Sequence, residues 1–146
     1  MVCWAVQLIA VGMTPMAIAD TLRPFEVVDG TIPAPLTAKP ADPQNGRAIA
    51  AGRQGNCLGC HRLPIPEEPF HGTVGPNLAG VGDRYSPAEL RLRLVDSTMI
   101  NPETIMPPFH RVDELRRVAR HYRGKPILTA QEIEDVIAYL MTLKEE

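Results

Sequence analysis

Cys57-Leu58-Gly59-Cys60-His61 places two thiols three residues apart and a histidine directly after the second. With that spacing each sulfur can add to one vinyl group of a porphyrin while the histidine binds the iron from one face. This is the chemistry of c-type haem attachment. Two other readings of a bare C-x-x-C compete with it: half of a zinc site, or a thiol-disulfide pair. A structural zinc normally takes four protein ligands. Outside the motif only His71, His110 and His121 remain, with no second cysteine pair. One covalent haem c, held through Cys57 and Cys60, is therefore the expected cofactor.

His61 supplies one axial ligand. Its other ring nitrogen needs an acceptor that fixes the ring plane and raises the basicity of the ligand. The irregular stretch Gly75-Pro76-Asn77-Leu78 is where a backbone carbonyl for that purpose is expected, although an ordinary Gly-Pro turn would read the same. For the sixth ligand a thioether sulfur favours ferrous iron, and a His/Met pair marks an electron-transfer haem. Met106 precedes Pro107 and Pro108, which stiffen the loop and hold a side chain in one direction. It is the expected ligand. Met99 is the alternative in a less constrained position, Met141 is expected in the core, and His110 and His121 are expected on the surface. Two strong protein ligands leave no open position, which argues for electron relay and against oxygen chemistry.

The chain around the motif bounds the setting. At 146 residues it suggests one domain, with 5% aromatic residues and a formal charge of -2. A nucleic-acid binder would need a basic face, and none is expected. The first nineteen residues are uncharged, mostly apolar and end in Ala17-Ile18-Ala19 before Asp20. That small-x-small ending predicts a cleaved signal peptide over residues 1–19, which removes Cys3 and places the mature chain in the periplasm. No Lys or Arg precedes Arg23, so the usual basic n-region is missing. An uncleaved membrane anchor is the competing reading, weakened by Thr14 and Pro15.

Residues 20–41 read as an extended arm, because Pro24, Pro33, Pro35 and Pro40 forbid a helix. Phe25, Val27, Val28, Ile32 and Leu36 make the arm more apolar than most disordered tails. The domain proper is assigned to residues 42–146.

Helices must position the ligands. Asp42 and Pro43 read as an N-cap with proline at the first helical position, with the helix running towards Gly52. Gly46 inside it suits a close helix crossing. Residues 62–84 are too rich in Pro and Gly for regular structure. Ser86-Pro87-Ala88-Glu89 is a capping box that opens a helix through about Val95, with Leu90 and Leu94 on one face. Residues 112–121 suggest a helical piece with a sparse apolar pattern. Thr129-Ala130-Gln131-Glu132 is a second capping box, and Ile133, Val136, Ile137, Leu140 and Met141 then form one apolar stripe. No strand pattern appears. The expected class is all-α, with long loops wrapped around the cofactor.

Over about residues 42–144 the chain resembles class I cytochromes c. The residues that carry the likeness are Gly46, Cys57-Leu58-Gly59-Cys60-His61, Gly75-Pro76-Asn77-Leu78, Met106-Pro107-Pro108 and Ile137-Ala138-Tyr139-Leu140. The resemblance implies that the first and last helices cross at Gly46 and Tyr139, and that the Pro76 carbonyl accepts a hydrogen bond from His61.

A narrower likeness joins it. The chain is similar to the SoxX family, monohaem subunits of the SoxAX cytochromes of bacterial thiosulfate oxidation. It rests on Ile32-Pro33-Ala34-Pro35-Leu36-Thr37, Gly55-Asn56, Phe70-His71-Gly72-Thr73-Val74-Gly75-Pro76, Asn101-Pro102-Glu103-Thr104-Ile105-Met106-Pro107-Pro108 and Gly124-Lys125-Pro126-Ile127-Leu128-Thr129-Ala130. That resemblance implies a periplasmic heterodimer with a SoxA-type subunit. The pair couples thiosulfate oxidatively to a cysteine of the SoxYZ carrier, an L-cysteine S-thiosulfotransferase reaction. The catalytic haem is expected on the partner, and this chain passes electrons to a small cytochrome acceptor. The competing function is a free, diffusible class I cytochrome c. Arg111, Arg116, Arg117, Arg120 and Arg123 would then form a docking ring, although Asp113 and Glu114 interrupt it. A haem-based gas sensor is a third reading and needs a labile sixth ligand.

Overall fold

A computed structural model describes residues 22–145. The expected signal peptide lies outside the described residues. Four α-helices and three short 3-10 turns make up the regular structure, and the described residues contain no strand beyond one isolated bridge between Val28 and Thr31.

Helix α1 (Pro43–Ala51) starts where Asp42 accepts from the backbone N–H groups of Gln44 and Asn45, with Pro43 in the first turn. Helix α4 (Ala130–Thr142) starts with the full capping box of Thr129 and Glu132. The two helices cross, and the crossing is set by Gly46. A Cβ built there would lie 1.9 Å from the Asp135 carbonyl oxygen and 2.8 Å from the Val136 nitrogen, so backbone meets backbone one turn before Tyr139. Asp135 ties the crossing together. Its buried carboxylate accepts from the Asp42 N–H at 2.8 Å and from Asn45 Nδ2 at 2.7 Å, next to the α1 N-terminus, where the helix dipole favours negative charge.

Gly46→Ala tests that crossing. Helix propensity alone would make alanine better by about 1 kcal/mol. Overpacking against rigid backbone costs about 1–3 kcal/mol or more, so the clash wins. A net loss of stability in urea denaturation is the expected result, and a gain would show that the helices can part freely.

Helix α3 (Pro87–Asp96) opens on the capping box of Ser86 and Glu89 and packs on α4. Leu90 and Leu94 lie on its inner face, in the same apolar core as Val136, Ile137 and Leu140. Helix α2 (Val81–Arg84) is a single turn inside the stretch that composition marks as irregular. Tertiary bonds hold it. The Gly82 N–H donates to the Leu143 carbonyl at 3.0 Å, and Lys144 Nζ donates to the Gly82 carbonyl at 2.8 Å.

The arm is ordered against the helices. Ile32 and Leu36 are buried, and the Ile32 N–H donates to the Ala88 carbonyl at 3.1 Å. Its first half doubles back at Asp29 and Gly30, both at positive φ, with mutual hydrogen bonds between Val28 and Thr31. That is the geometry of a two-residue hairpin turn, for which Asp-Gly is the strong signal.

Two sequence expectations fail. Residues 112–119 form no helix; the only regular piece nearby is a 3-10 turn at Arg120–Tyr122. Glu114 and Arg117 both sit at positive φ, which an α-helix does not permit. His110 is not a surface residue. It is 0% exposed, its Nδ1–H donates to the Leu128 carbonyl at 2.9 Å, and its Nε2 accepts from the Arg23 N–H at 3.1 Å. Burial pushes its pKa below the ordinary histidine value, so the neutral ring acts as a bracket between arm and core.

Candidate haem site

The attachment motif is a tight turn. Cys57–Gly59 is a 3-10 turn, and the N–H groups of Cys60 and His61 both donate to the Cys57 carbonyl, at 3.1 and 2.8 Å. This folding brings Cys57, Cys60 and His61 to the wall of one cavity of about 580 Å³. Both cysteines are free thiols. Burial pushes the Cys57 thiol up to about 11. A redox dithiol needs the opposite shift, towards thiolate. Among the described residues no group of three or more His, Cys, Asp and Glu side chains could hold a metal ion, which leaves zinc without a ligand set.

A second loop lies directly on the motif. Gly72 N–H donates to the Leu58 carbonyl and Gly75 N–H to the Cys60 carbonyl, both at 2.8 Å, and Leu78 N–H donates to the Arg62 carbonyl at 2.9 Å. The Pro76 carbonyl stands 2.7 Å from His61 Nδ1. A carbonyl can only accept, so Nδ1 carries the proton and Nε2 keeps its lone pair for a metal. Gly75 makes that approach possible. A Cβ there would sit 2.3 Å from His61 Cε1, inside the ring's contact distance.

Met106 lines the same cavity and packs against the core. Its backbone is fixed on both sides. Ser97 Oγ donates to the Met106 carbonyl at 2.8 Å, and the Met106 N–H donates to Thr104 Oγ1 at 3.2 Å. Met99 is 53% exposed and Met141 packs against the core; neither lines the cavity. His110 and His121 do not line it either; His121 is exposed, its ring tilted against that of Tyr122.

Most of the rest of the wall is apolar, with polar side chains from Gln54, Asn56, Ser97, Asn101 and Thr104 at other points. Leu90 and Leu94 come from α3, Val136 and Leu140 from α4, Val81 from α2 and Phe109 from the segment between α3 and α4. A flat apolar ring with two sulfur tethers and an axial histidine and methionine fits this donor set and this lining. Tyr85 and Arg93 also face the cavity and escape the sequence reading. The signal for Arg93 is its spacing: Leu90, Arg93, Leu94 and Ser97 fall at i, i+3, i+4 and i+7 on one helical face.

Comparison with known proteins agrees with this geometry. The family model "Cytochrome c" matches residues 43–144. A solved structure described as SoxXA from P. pantotrophus matches at 40% sequence identity with a TM-score of 0.77, covering 83% of this chain and 95% of that one. No curated protein sequence matches the chain. The family implies covalent haem c, and its model spans both cysteines, His61 and Met106. The chain belongs to the cytochrome c family.

Proposed function

We propose that this chain is the monohaem electron-transfer subunit of a periplasmic SoxAX-type heterodimer. The observation that carries the electron-relay part is that Cys57, Cys60, His61 and Met106 all line one apolar cavity. In this reading Cys57 and Cys60 tether the haem. His61 Nε2 and the Met106 thioether are its axial ligands, and the Pro76 carbonyl holds the histidine ring. Bound there, the haem supplies a one-electron couple. Leu90, Leu94, Val136 and Leu140 keep water from it, and low local polarity together with a methionine ligand favours the ferrous state.

The SoxXA likeness supports the wider assignment. Joining the outer sulfur of thiosulfate to a cysteine thiolate of a SoxYZ carrier forms one S–S bond and releases two electrons. A one-electron subunit takes them in two successive steps and hands each to a small cytochrome acceptor. The sulfur chemistry belongs to the SoxA-type partner, whose own haem is the catalytic one.

The test is to purify the tagged chain from periplasm that also contains the partner, and to identify what accompanies it by mass spectrometry. A stable pair with a larger cytochrome is expected. Its ferrous spectrum should develop only when thiosulfate and the carrier are both present. Recovery of the chain as a monomer from such cells would point to a free carrier instead.

A further inference from the structure

His110 is a buried titratable group that the haem site does not use, since it does not line the cavity. Its ring joins two segments far apart in sequence. Nδ1 donates to the Leu128 carbonyl at 2.9 Å, and Nε2 accepts from the Arg23 N–H at 3.1 Å, 87 positions away. Those partners fix the tautomer, because a carbonyl can only accept and a backbone N–H can only donate. The ring therefore holds the arm only while Nε2 keeps its lone pair. Residues 22–30 are all exposed, so little buried surface holds this part of the arm. The second half differs. Ile32 and Leu36 are buried, Ala88 accepts from the Ile32 N–H, and Arg91 and Glu134 take the Ile32 carbonyl and the Leu36 N–H. Between the halves lie Asp29 and Gly30, both at positive φ, a turn about which the first half can swing.

The charged side chains on the segments that meet the ring are Arg23 and Glu26 on the arm, Asp96 at the end of α3, Arg111 beside the ring, Lys125 ahead of Leu128 and Glu132 after it. Asp96 and Arg111 pair with each other at 2.7 Å, and Glu132 turns back to accept from the Thr129 N–H at 2.7 Å. Carboxylate, guanidinium and ammonium groups do not ordinarily change charge between pH 5.5 and 7.5, whereas a free histidine does. Burial holds the His110 pKa below its ordinary value, the Leu128 bond opposes that shift, and no charged neighbour takes part. A second ring proton would set one N–H against another at Arg23 and leave a buried cation without a carboxylate to meet it.

We infer that His110 is a proton-operated latch for the arm. With Nε2 unprotonated it fixes the arm at Arg23; once protonated it releases residues 22–31, while Ile32 and Leu36 stay bound. The latch decides whether Leu22, Phe25, Val27 and Val28, four exposed apolar side chains, stand as one ordered surface. The sign follows from the released state, which takes up the proton more readily. The hold is complete above the ordinary histidine value of about 6.5, is lost as pH falls below it, and levels off below the folded-state value. None of this depends on which partner the chain takes.

The test reads the protection factor of the Arg23 amide against hydrogen exchange, by NMR on the ferrous holoprotein at pH 7.5 and 5.5. A protection factor already corrects for the pH dependence of free-amide exchange. A fall of up to about tenfold at the lower pH is expected, the effect of one proton taken up by the released state. His110→Gln replaces the ring with a neutral amide that can donate to Leu128 and accept from Arg23, so its profile should be flat. His110→Phe should leave the Arg23 amide unprotected at both pH values. A flat wild-type profile, or a fall that survives in His110→Gln, would overturn the proposal. Should His110→Gln fail to accumulate, His110→Phe carries the test, and an amide as well protected there as in the wild type would overturn it. Failure of the heterodimer to form would leave these readings unchanged, so the two proposals fail separately.

Discussion

Glu134→Ala is expected to cost about 3–5 kcal/mol of stability, a large share of what a domain of this size possesses. Glu134 and Arg91 form a buried ion pair, with Nε to Oε1 at 2.7 Å and Nη2 to Oε2 at 2.9 Å. What remains of their hydrogen-bonding capacity goes to the arm. Arg91 Nη1 donates to the Ile32 carbonyl at 2.7 Å, and Glu134 Oε1 accepts from the Leu36 N–H at 2.8 Å. Alanine at 134 therefore leaves one buried guanidinium without its carboxylate and one buried N–H without an acceptor. The first of these dominates, since an uncompensated buried charge costs more than a lost neutral hydrogen bond. Urea denaturation of the holoprotein reads the loss, and limited proteolysis within residues 22–41 reads the release of the arm. The double variant Arg91→Met/Glu134→Leu separates the two roles. It removes both charges together, so at least half of the stability should return while the arm stays cleavable. A loss under about 1 kcal/mol in the single variant would place the pair among ordinary surface bridges.

The parts of this fold legible in the sequence are those decided within four residues of chain. Asp42-Pro43, Ser86 with Glu89, and Thr129 with Glu132 each satisfy their own helix start, and the structure has a helix at each. The haem motif is legible for the same reason: its thiols and histidine are neighbours. The two prolines that follow Met106 set it apart from Met99 in the sequence; in the structure Met106 lines the cavity and Met99 is 53% exposed. What escaped depends on distant partners. Helix α2 is one turn long and is fixed by Leu143 and Lys144, about sixty residues downstream. His110 lies beside Arg111 in a charged stretch, yet its ring is committed to Leu128 and to the arm at Arg23. The stretch 112–121 has helix-forming composition but too few apolar positions to bury, and positive φ at Glu114 and Arg117 ends the argument. Arg93 was hidden by its own neighbours. Leu90 and Leu94 define an apolar face, and a cation between them reads as a solvated edge until the cavity is seen.

Met106→Ala should abolish the weak near-infrared absorption of sulfur-to-ferric charge transfer and open a coordination position, so that the untreated ferrous protein binds carbon monoxide. Loss of a soft sulfur ligand removes the main factor favouring ferrous iron. A fall of about a hundredfold in that preference is expected, or about 120 mV for a one-electron couple. The change should be local. The Ser97 and Thr104 bonds are made to the Met106 main chain, so alanine keeps both, and the loop retains its Pro107-Pro108 brace. Met99→Ala is the control. That side chain is 53% exposed and does not line the cavity, so its removal should leave band and potential as they are. The reverse pattern, with the band lost in Met99→Ala and kept in Met106→Ala, would require the Ile100–Ile105 loop to move and carry residue 99 into the cavity. Ile100 and Ile105 already line the cavity on either side of that loop, and both are exposed at its mouth. What opposes the exchange are the Ile100 and Asn101 N–H bonds to the Ser97 carbonyl and the Ser97 and Thr104 bonds to the Met106 main chain. Ser97→Ala should then loosen the sixth ligand without touching it. Carbon monoxide binding by that variant, absent from the wild type, separates a ligand held by its loop from one held by the iron alone.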